Sequence, residues 1–506
     1  MTALHERHST SMQSAPPAGP LNVLWLYCDE LRADALGCYA TGPFRPHTSA
    51  IDELAASGAV FKECYTNSPV CVPSRTALLT GQPPERTGVY HNEAYADGFP
   101  LPPGLTTFPE VFARHGYRTA SFGKEHIPAG LTPWQLHDPA GGAMRDPLSG
   151  RDPADCALTV TPNGKTVVAG TLPEGQPYGP AQVTENAAAW IAQAQEPFLV
   201  RASFLQPHTP VIVPHAYGQV HRPEDFPDVL PGSRAPVSRF ERRFAEVSGG
   251  GQDADPAVAR RAHAAYHNLV SWVDAQLAVL MDALRAKGVA DRTVVVLTSD
   301  HGAHLGENGA YGKHTFARGS HRVPLIISAP GRLARQVRTD LAQSLDLART
   351  LFGLCGIEAP ESFDGRGLFH DPAPTGIFST IGYGAPWSRA FPNQQHGTYD
   401  DGRGWPRRSC IRTDRYRLDA TVRIDGRPPR DSEEEDLVLI DRVADPDETV
   451  NLADDRQLAD VAKDLHARLL KNAADAVEVD DDLLKDLALK TLARHRELRR
   501  GGRSPL

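Results

Sequence analysis

No run of about 20 consecutive apolar residues occurs anywhere in the 506-residue chain, which excludes a membrane-spanning helix on hydropathy. The N-terminal segment MTALHERHSTSMQSAPPAGP also lacks the apolar stretch of a secretory signal, so a cytoplasmic location is the expectation. Cysteine is sparse. The seven present (Cys28, Cys38, Cys64, Cys71, Cys156, Cys355 and Cys410) are too few and too scattered for a disulfide framework. Positive charge is not in excess: 53 Lys+Arg stand against 62 Asp+Glu, a formal net charge of -9. That balance argues against a surface built for nucleic acid or for anionic membrane. Internal repeats and long low-complexity tracts are absent too. Lysine is scarce, with nine against 44 arginines, so a lysine at a chemically suggestive position stands out.

Hydrophobic residues at 41% leave enough apolar surface for a sizeable core. Residues 1–20, rich in Ser, Pro and His, read as a flexible arm. LNVLWLYC (21–28) is a continuous apolar run, as in a strand covered on both faces of a parallel sheet. Helical spacing follows at 48–58, and AVFKECY (59–65) reads as a strand. A helix over 74–81, another over 108–116, and strands over 117–123, 198–204, 293–300 and 323–328 come next, with helices near 184–195 and 256–287. This alternation predicts an α/β fold with a large, mostly parallel sheet flanked by helices. Segments 127–183, 215–255 and 380–408 read as loops that shape a pocket. Past about 375, alternating patterns at 410–424 and 436–443 and a helical stretch over 455–498 predict a smaller α+β domain with a short antiparallel sheet. The expected division is therefore an arm over 1–20, a main domain over 21–375 and a C-terminal domain over 376–506.

In doubly wound sheets, ligand sites gather beyond the carboxyl ends of strands. Asp29 and Asp300 each close a predicted strand, where carboxylates can hold a divalent cation or simply form turns. CVPSRTALLTG (71–81) places Cys71 at a helix N-terminus. There, free N–H groups and Arg75 favour an anion, although a buried capping thiol is the plainer alternative. Lys124 and Lys313 are two of the nine lysines; a compact ammonium serves where a planar guanidinium does not. His126 and His208 are candidate proton carriers, chosen from twenty histidines by motif position alone. Trp134, Trp190, Trp387 and Trp405 are available to stack on a ring or to pack in the core.

These segments resemble the type I, formylglycine-dependent sulfatases of the alkaline-phosphatase superfamily. The C-x-P-S-R start with T-x-L-x-T-G downstream is similar to the family's formylglycine signature at Cys71, Pro73 and Arg75. NVLWLYCDELRADALGCYA resembles the first metal loop, and LTSDHGAHLGENGAYGKHTF the second. SFGKEH (121–126) and LQPHTPVIVP (205–214) are similar to two further family segments, and ordered matches run from about 22 to 453. The resemblance implies an alkaline-phosphatase-like fold and one divalent cation held by Asp29, Glu30, Asp300, His301 and residue 71. Calcium is the first choice, with magnesium or manganese as alternatives. Glu30 stands where Asp or Gln is usual and either reaches the metal or turns away. His301 stands where many members have Asn.

The resemblance further implies that a maturation enzyme converts Cys71 to 3-oxoalanine (formylglycine), whose hydrate attacks the sulfur of a small sulfate ester. Lys124 and Lys313 would then hold sulfate oxygens, Arg75 would steady the nucleophile, and His208 would protonate the leaving alcohol. His126 would take the remaining hydroxyl proton so that sulfate is expelled. A phosphonate monoester or phosphodiester hydrolase of the same superfamily is the nearest rival. The intact Gly-Lys-x-His segment speaks for sulfate. A non-catalytic relative that only binds sulfated ligands is the other alternative, and the full set of charged groups speaks against it. No nucleic-acid or membrane partner is expected.

Overall fold

The computed structural model describes residues 19–42, 44–142, 158–160, 166–227, 236–249, 251, 255–386, 399, 403–487 and 489–490. The arm expected over 1–20 lies outside them except for residues 19 and 20, as do Trp387 and parts of all three expected loops.

The central sheet has eight strands. In chain order these are β1 (Asn22–Asp29), β2 (Ala59–Phe61), β3 (Arg118–Gly123), β4 (Leu136–Asp138), β5 (Phe198–Pro207), β6 (Thr293–Ser299), β7 (Leu325–Ser328) and β8 (Gln336–Arg338). Across the sheet they lie β8-β2-β7-β6-β1-β5-β3-β4. Every neighbouring pair is parallel except the two made by β7, so β7 alone runs against the rest.

The apolar run of β1 is continuous because both of its faces are covered. Leu24, Leu26 and Cys28 enter one core with the long helix Pro256–Lys287, while Val23, Trp25 and Tyr27 enter a second core on the opposite face. β6 alternates in the same way, with Val295 and Leu297 on one side and Val294 and Val296 on the other. This period of two, read against two cores instead of one core and water, is the physical basis of the parallel-sheet reading. β1 and β6 lie side by side in register, Cys28 opposite Ser299, so the next residues, Asp29 and Asp300, leave the sheet at one place.

Several local expectations are corrected. AVFKECY is broken into β2 and a separate pair, Cys64–Tyr65, which joins Ala342–Gln343 instead of the main sheet. The stretch 127–183 contains β4 and further strands Leu158–Val160 and Thr166–Thr171, and 215–255 contains the helix Arg239–Gly249. The helical reading of 455–498 fails in the middle: the helix Ala459–Ala474 ends, residues 476–480 are non-helical, and a second helical segment spans 481–487. Asp480 explains the restart, since its carboxylate accepts the N–H of Leu483 at 2.8 Å. The intervening Val479 packs with Val72, Val89 and Tyr90, beside the helix that carries Cys71. Trp134, Trp190 and Trp405 pack against cores.

The C-terminal part forms a four-stranded antiparallel sheet of Ile377–Ile381, Arg407–Arg412, Tyr416–Arg423 and Val438–Asp441, in sequential order. One face packs Ile411, Leu418 and Leu439 on Leu465 and Leu469 of the helix Ala459–Ala474. The other is polar and buried. Arg412 donates to Glu448 at 2.5 and 3.1 Å, to His321 at 3.0 Å and to the Phe316 carbonyl at 2.5 Å. Arg417 donates to the same Glu448 at 2.9 Å and to Glu241 at 2.8 Å. Burial opposes ionisation of Glu448, but Arg412 and Arg417 outweigh it and hold its carboxyl well below the usual range.

Arg412→Ala is therefore expected to destabilise the protein by about 3 kcal/mol, the lower end for a broken buried pair because Arg417 remains. Chemical denaturation measures it. The depressed carboxyl gives the pH sign: this stabilisation is complete above the unfolded carboxyl pKa of about 4.3 and is lost as pH falls towards the folded value. The variant should accordingly lose its deficit relative to the parent in acid.

Candidate active site

The nucleophile candidate is placed by a helix that begins on it. Cys71–Thr80 is helical, with Val70 in extended conformation before it and no side-chain cap on Val70. The N–H of Val72 donates instead to Asn92 Oδ1 at 3.0 Å. All ten residues of the helix are buried. The helix stops at Gly81 (φ 63°), where a Cβ would come within 2.3 Å of Phe363, so only glycine fits.

Around Cys71 Sγ lie Lys313 Nζ at 2.9 Å, His301 Nε2 at 3.3 Å and Asp29 Oδ1 at 3.7 Å, with the His126 imidazole close by. Arg75, one turn along the same helix, donates to Asp300 Oδ2 at 2.8 Å and Asp29 Oδ2 at 3.1 Å. Lys124 Nζ meets Asp29 Oδ2 at 2.5 Å. Glu30 Oε1 faces Lys313 Nζ at 2.8 Å and His208 Nε2 at 3.4 Å. Every site residue anticipated from sequence thus converges on one pocket beyond the carboxyl ends of β1 and β6. Glu30 does not turn away. Its carboxylate enters the pocket and pairs with Lys313 and His208.

The electrostatics follow from that convergence. Burial disfavours a Cys71 thiolate, yet Lys313, Lys124 and His301 outweigh it and hold the thiol well below its ordinary value. Burial also opposes charge on Lys313, but Cys71, Glu30, Asp29 and Asp300 keep it protonated. Lys313 therefore brings a fixed positive charge. Burial and the adjacent Asp29 raise Asp300, whereas Lys124, His208 and Arg75 hold Asp29 low against its own desolvation. His126 is pushed down to about 4 by burial, so it is neutral at pH 7 and able to accept a proton. His301, despite burial, is raised to about 9, chiefly by Asp300.

The donor set suits a divalent cation. Asp29, Cys71, Asp300 and His301 offer ligand atoms within 4.8 Å of one another, and Asp29, Glu30 and His208 form a second such group. Hard carboxylate oxygens with one imidazole fit calcium, magnesium or manganese. The Nδ1 of His301 lies 2.8 Å from the Gly302 carbonyl, which directs Nε2 at the pocket.

Sequence reasoning missed the groups that fix Glu30 in its left-handed backbone (φ 64°). Tyr266, on the long helix, accepts the Arg32 N–H at 2.9 Å and donates to the Glu30 carbonyl at 2.5 Å. The Leu31 N–H donates to Ser299 Oγ at 2.9 Å and the Glu30 N–H to Asp300 Oδ1 at 3.1 Å. Nothing in the local pattern around Tyr266 sets it apart from an ordinary core residue.

Fold and site together define an α/β protein with carboxylates, imidazoles and ammonium groups gathered over adjacent strand ends. Comparison with known proteins narrows this. A family model described as Sulfatase matches residues 21–357, and one described as N-sulphoglucosamine sulphohydrolase, C-terminal, matches residues 306–475. The chain belongs to the sulfatase family, and the protein is a sulfuric ester hydrolase. It is 27% identical over 491 residues to an ulvan-active sulfatase of Formosa agariphila, covering 93% of this chain and 84% of that one. It is 29% identical over 372 residues to a choline-sulfatase of Rhizobium meliloti, covering 68% and 69% of the two chains. Among solved structures, BT4656 in complex with its substrate D-glucosamine-2-N,6-O-disulfate superposes with a TM-score of 0.68 at 18% identity, over 90% of this chain and 98% of that one. The phosphonate monoester hydrolase of Agrobacterium radiobacter superposes with a TM-score of 0.71 at 21% identity, over 90% and 96%. Identities this low carry the fold alone. Among the described residues, no helix is long and apolar enough to cross a membrane.

Proposed function

We propose that the protein hydrolyses a small sulfate monoester to an alcohol and inorganic sulfate, using residue 71 in its formylglycine form and one divalent cation. The observation that carries this is the meeting of Cys71, at a helix N-terminus, with two buried ammonium groups and a carboxylate–imidazole cluster in one pocket. Asp29, Glu30, Asp300 and His301 would hold the cation, with calcium first and magnesium or manganese as alternatives. When bound, the cation supplies Lewis-acid polarisation of an oxyanion, and the aldehyde hydrate supplies a nucleophile with a second hydroxyl. A maturation enzyme acting on the Cys71 segment is the partner this requires.

The chain's own side chains do the rest. Lys124 and Lys313 grip sulfuryl oxygens and offset the charge gathering on them in the transition state. Arg75 ties Asp29 to Asp300 and anchors the base of the pocket. His208, whose Nε2 lies 3.4 Å from the Glu30 carboxylate, protonates the departing alcohol oxygen. His126, kept neutral by burial, takes the proton from the hydroxyl at position 71. Residues 21–375 form the catalytic domain in this reading and 376–506 a smaller domain.

The likeness to a phosphonate monoester hydrolase shows the fold alone and favours neither activity. Lys124 and His126 both reach the pocket from one Gly-Lys-x-His segment, which supports the sulfate reading. Comparing kcat/KM for 4-nitrophenyl sulfate and 4-nitrophenyl phenylphosphonate with one preparation separates them. The sulfate is expected to be the better substrate, and a clear preference for the phosphonate would reverse the assignment.

A further inference from the structure

Lys124 and His126 reach the pocket on either side of a residue that does not. Glu125 points away, and its carboxylate is held by two donors, with a histidine close by. Arg201 Nη2 makes an ion pair with Oε2, Trp134 Nε1 donates to Oε1 at 3.2 Å, and His137 Nδ1 faces Oε2 at 3.5 Å. Arg201 is itself wholly buried on β5. Its guanidinium lies over Trp134 (4.8 Å), Trp25 (5.3 Å) and Tyr27 (6.0 Å), and its Nε and Nη2 donate to Ser121 Oγ at 3.0 and 2.8 Å. From the pocket side, Arg75 Nη1 donates to the carbonyls of both Lys124 and Glu125 at 3.4 Å. The segment is therefore clamped from two sides.

The residue after the clamp is the one that needs it. His126 adopts a left-handed backbone (φ 49°), a conformation that costs a residue with a Cβ and persists only when its surroundings over-determine it. We propose that Glu125, anchored by Arg201 and Trp134, is a positioning residue that sets where Lys124 and His126 meet a sulfuryl group. The inference rests on the roles assigned above to those two residues. The carboxylate balances the buried Arg201 charge, and in the same contact it fixes the peptide between two groups whose side chains must stay in place. A shift of about 1 Å in such groups costs about 10²-fold in rate.

The test uses the full-length chain with position 71 converted, and two probes, 4-nitrophenyl sulfate and inorganic sulfate. Glu125→Gln keeps the shape and removes the charge. It is expected to lower kcat by about 10²-fold and to weaken inorganic sulfate binding, read by calorimetry. Because this change strands Arg201 as an unpaired buried cation, Glu125→Gln with Arg201→Met is measured beside it. The melting midpoint should recover in the double variant while kcat stays low. In Lys124→Ala and His126→Ala backgrounds, adding Glu125→Gln should cost far less than it does in the parent, since interacting sites are not additive. Parental kcat in Glu125→Gln, recovery of kcat along with the melting midpoint, or full additivity with both alanine variants would each overturn the proposal. Parental kcat in the Lys124→Ala and His126→Ala chains would instead overturn the roles assigned to those residues.

Discussion

Replacing Cys71 with Ala is expected to lower kcat/KM on an aryl sulfate by on the order of 10⁴–10⁶-fold, the scale on which loss of a nucleophile is felt. The reason is positional as much as chemical. Lys313, His301 and Asp29 all approach Sγ, at 2.9, 3.3 and 3.7 Å, and the His126 imidazole is close by. No other described side chain occupies that point. The alanine chain should still fold, because Ala suits the first turn of a helix and Lys313 retains Glu30 as its partner at 2.8 Å. Cys71→Ser should lose activity on the same scale, since a single hydroxyl cannot supply the second one that expels sulfate. Steady-state kinetics with a melting curve on each variant checks both statements. Activity within tenfold of the parent in Cys71→Ala would remove the nucleophile from the mechanism.

The second large effect is expected from chelation. Asp29, Glu30 and Asp300 bring three carboxylates into one buried pocket, and burial together with Asp29 already pushes Asp300 upward. A divalent cation relieves that repulsion. Exhaustive chelation should take turnover to background, and calcium, magnesium or manganese should restore it. Stability should follow by mass action: a cation at 100 times its Kd adds about 2.7 kcal/mol. Thermal melts across a calcium titration, read alongside turnover, measure both. Full activity after chelation, with no cation dependence of the melting midpoint, would contradict the cation's role and leave that of Cys71 standing.

The parts of this molecule that were legible in sequence are those governed by short-range rules. β1 and β6 announce themselves as continuous apolar runs, and the acids at their ends fall together because parallel neighbours in register finish at one edge. The pocket lysines were visible because lysine is rare in this chain. Contacts that depend on distant segments were not. Arg412 and Arg417 alternate within strands as solvent-facing residues would, yet Glu448, brought from beyond the sheet, buries them. Tyr266 clamps the Glu30 loop across 236 residues of chain, and Glu125 finds Arg201 76 residues away. The break after Ala474 was hidden because its partners are distant in sequence: the Val477 N–H donates to the Glu85 carbonyl at 2.7 Å, Tyr90 donates to the Val477 carbonyl at 2.9 Å, and Val479 packs beside Val72.

The most direct test of the mechanism is the mass of the peptide containing position 71, taken from protein made in its native host and shown on the same day to release sulfate. The active fraction is expected to carry the aldehyde, a side chain in which one oxygen stands in place of the sulfur and two hydrogens of the cysteine are gone. An active preparation whose residue 71 is entirely unmodified cysteine would contradict the aldehyde mechanism.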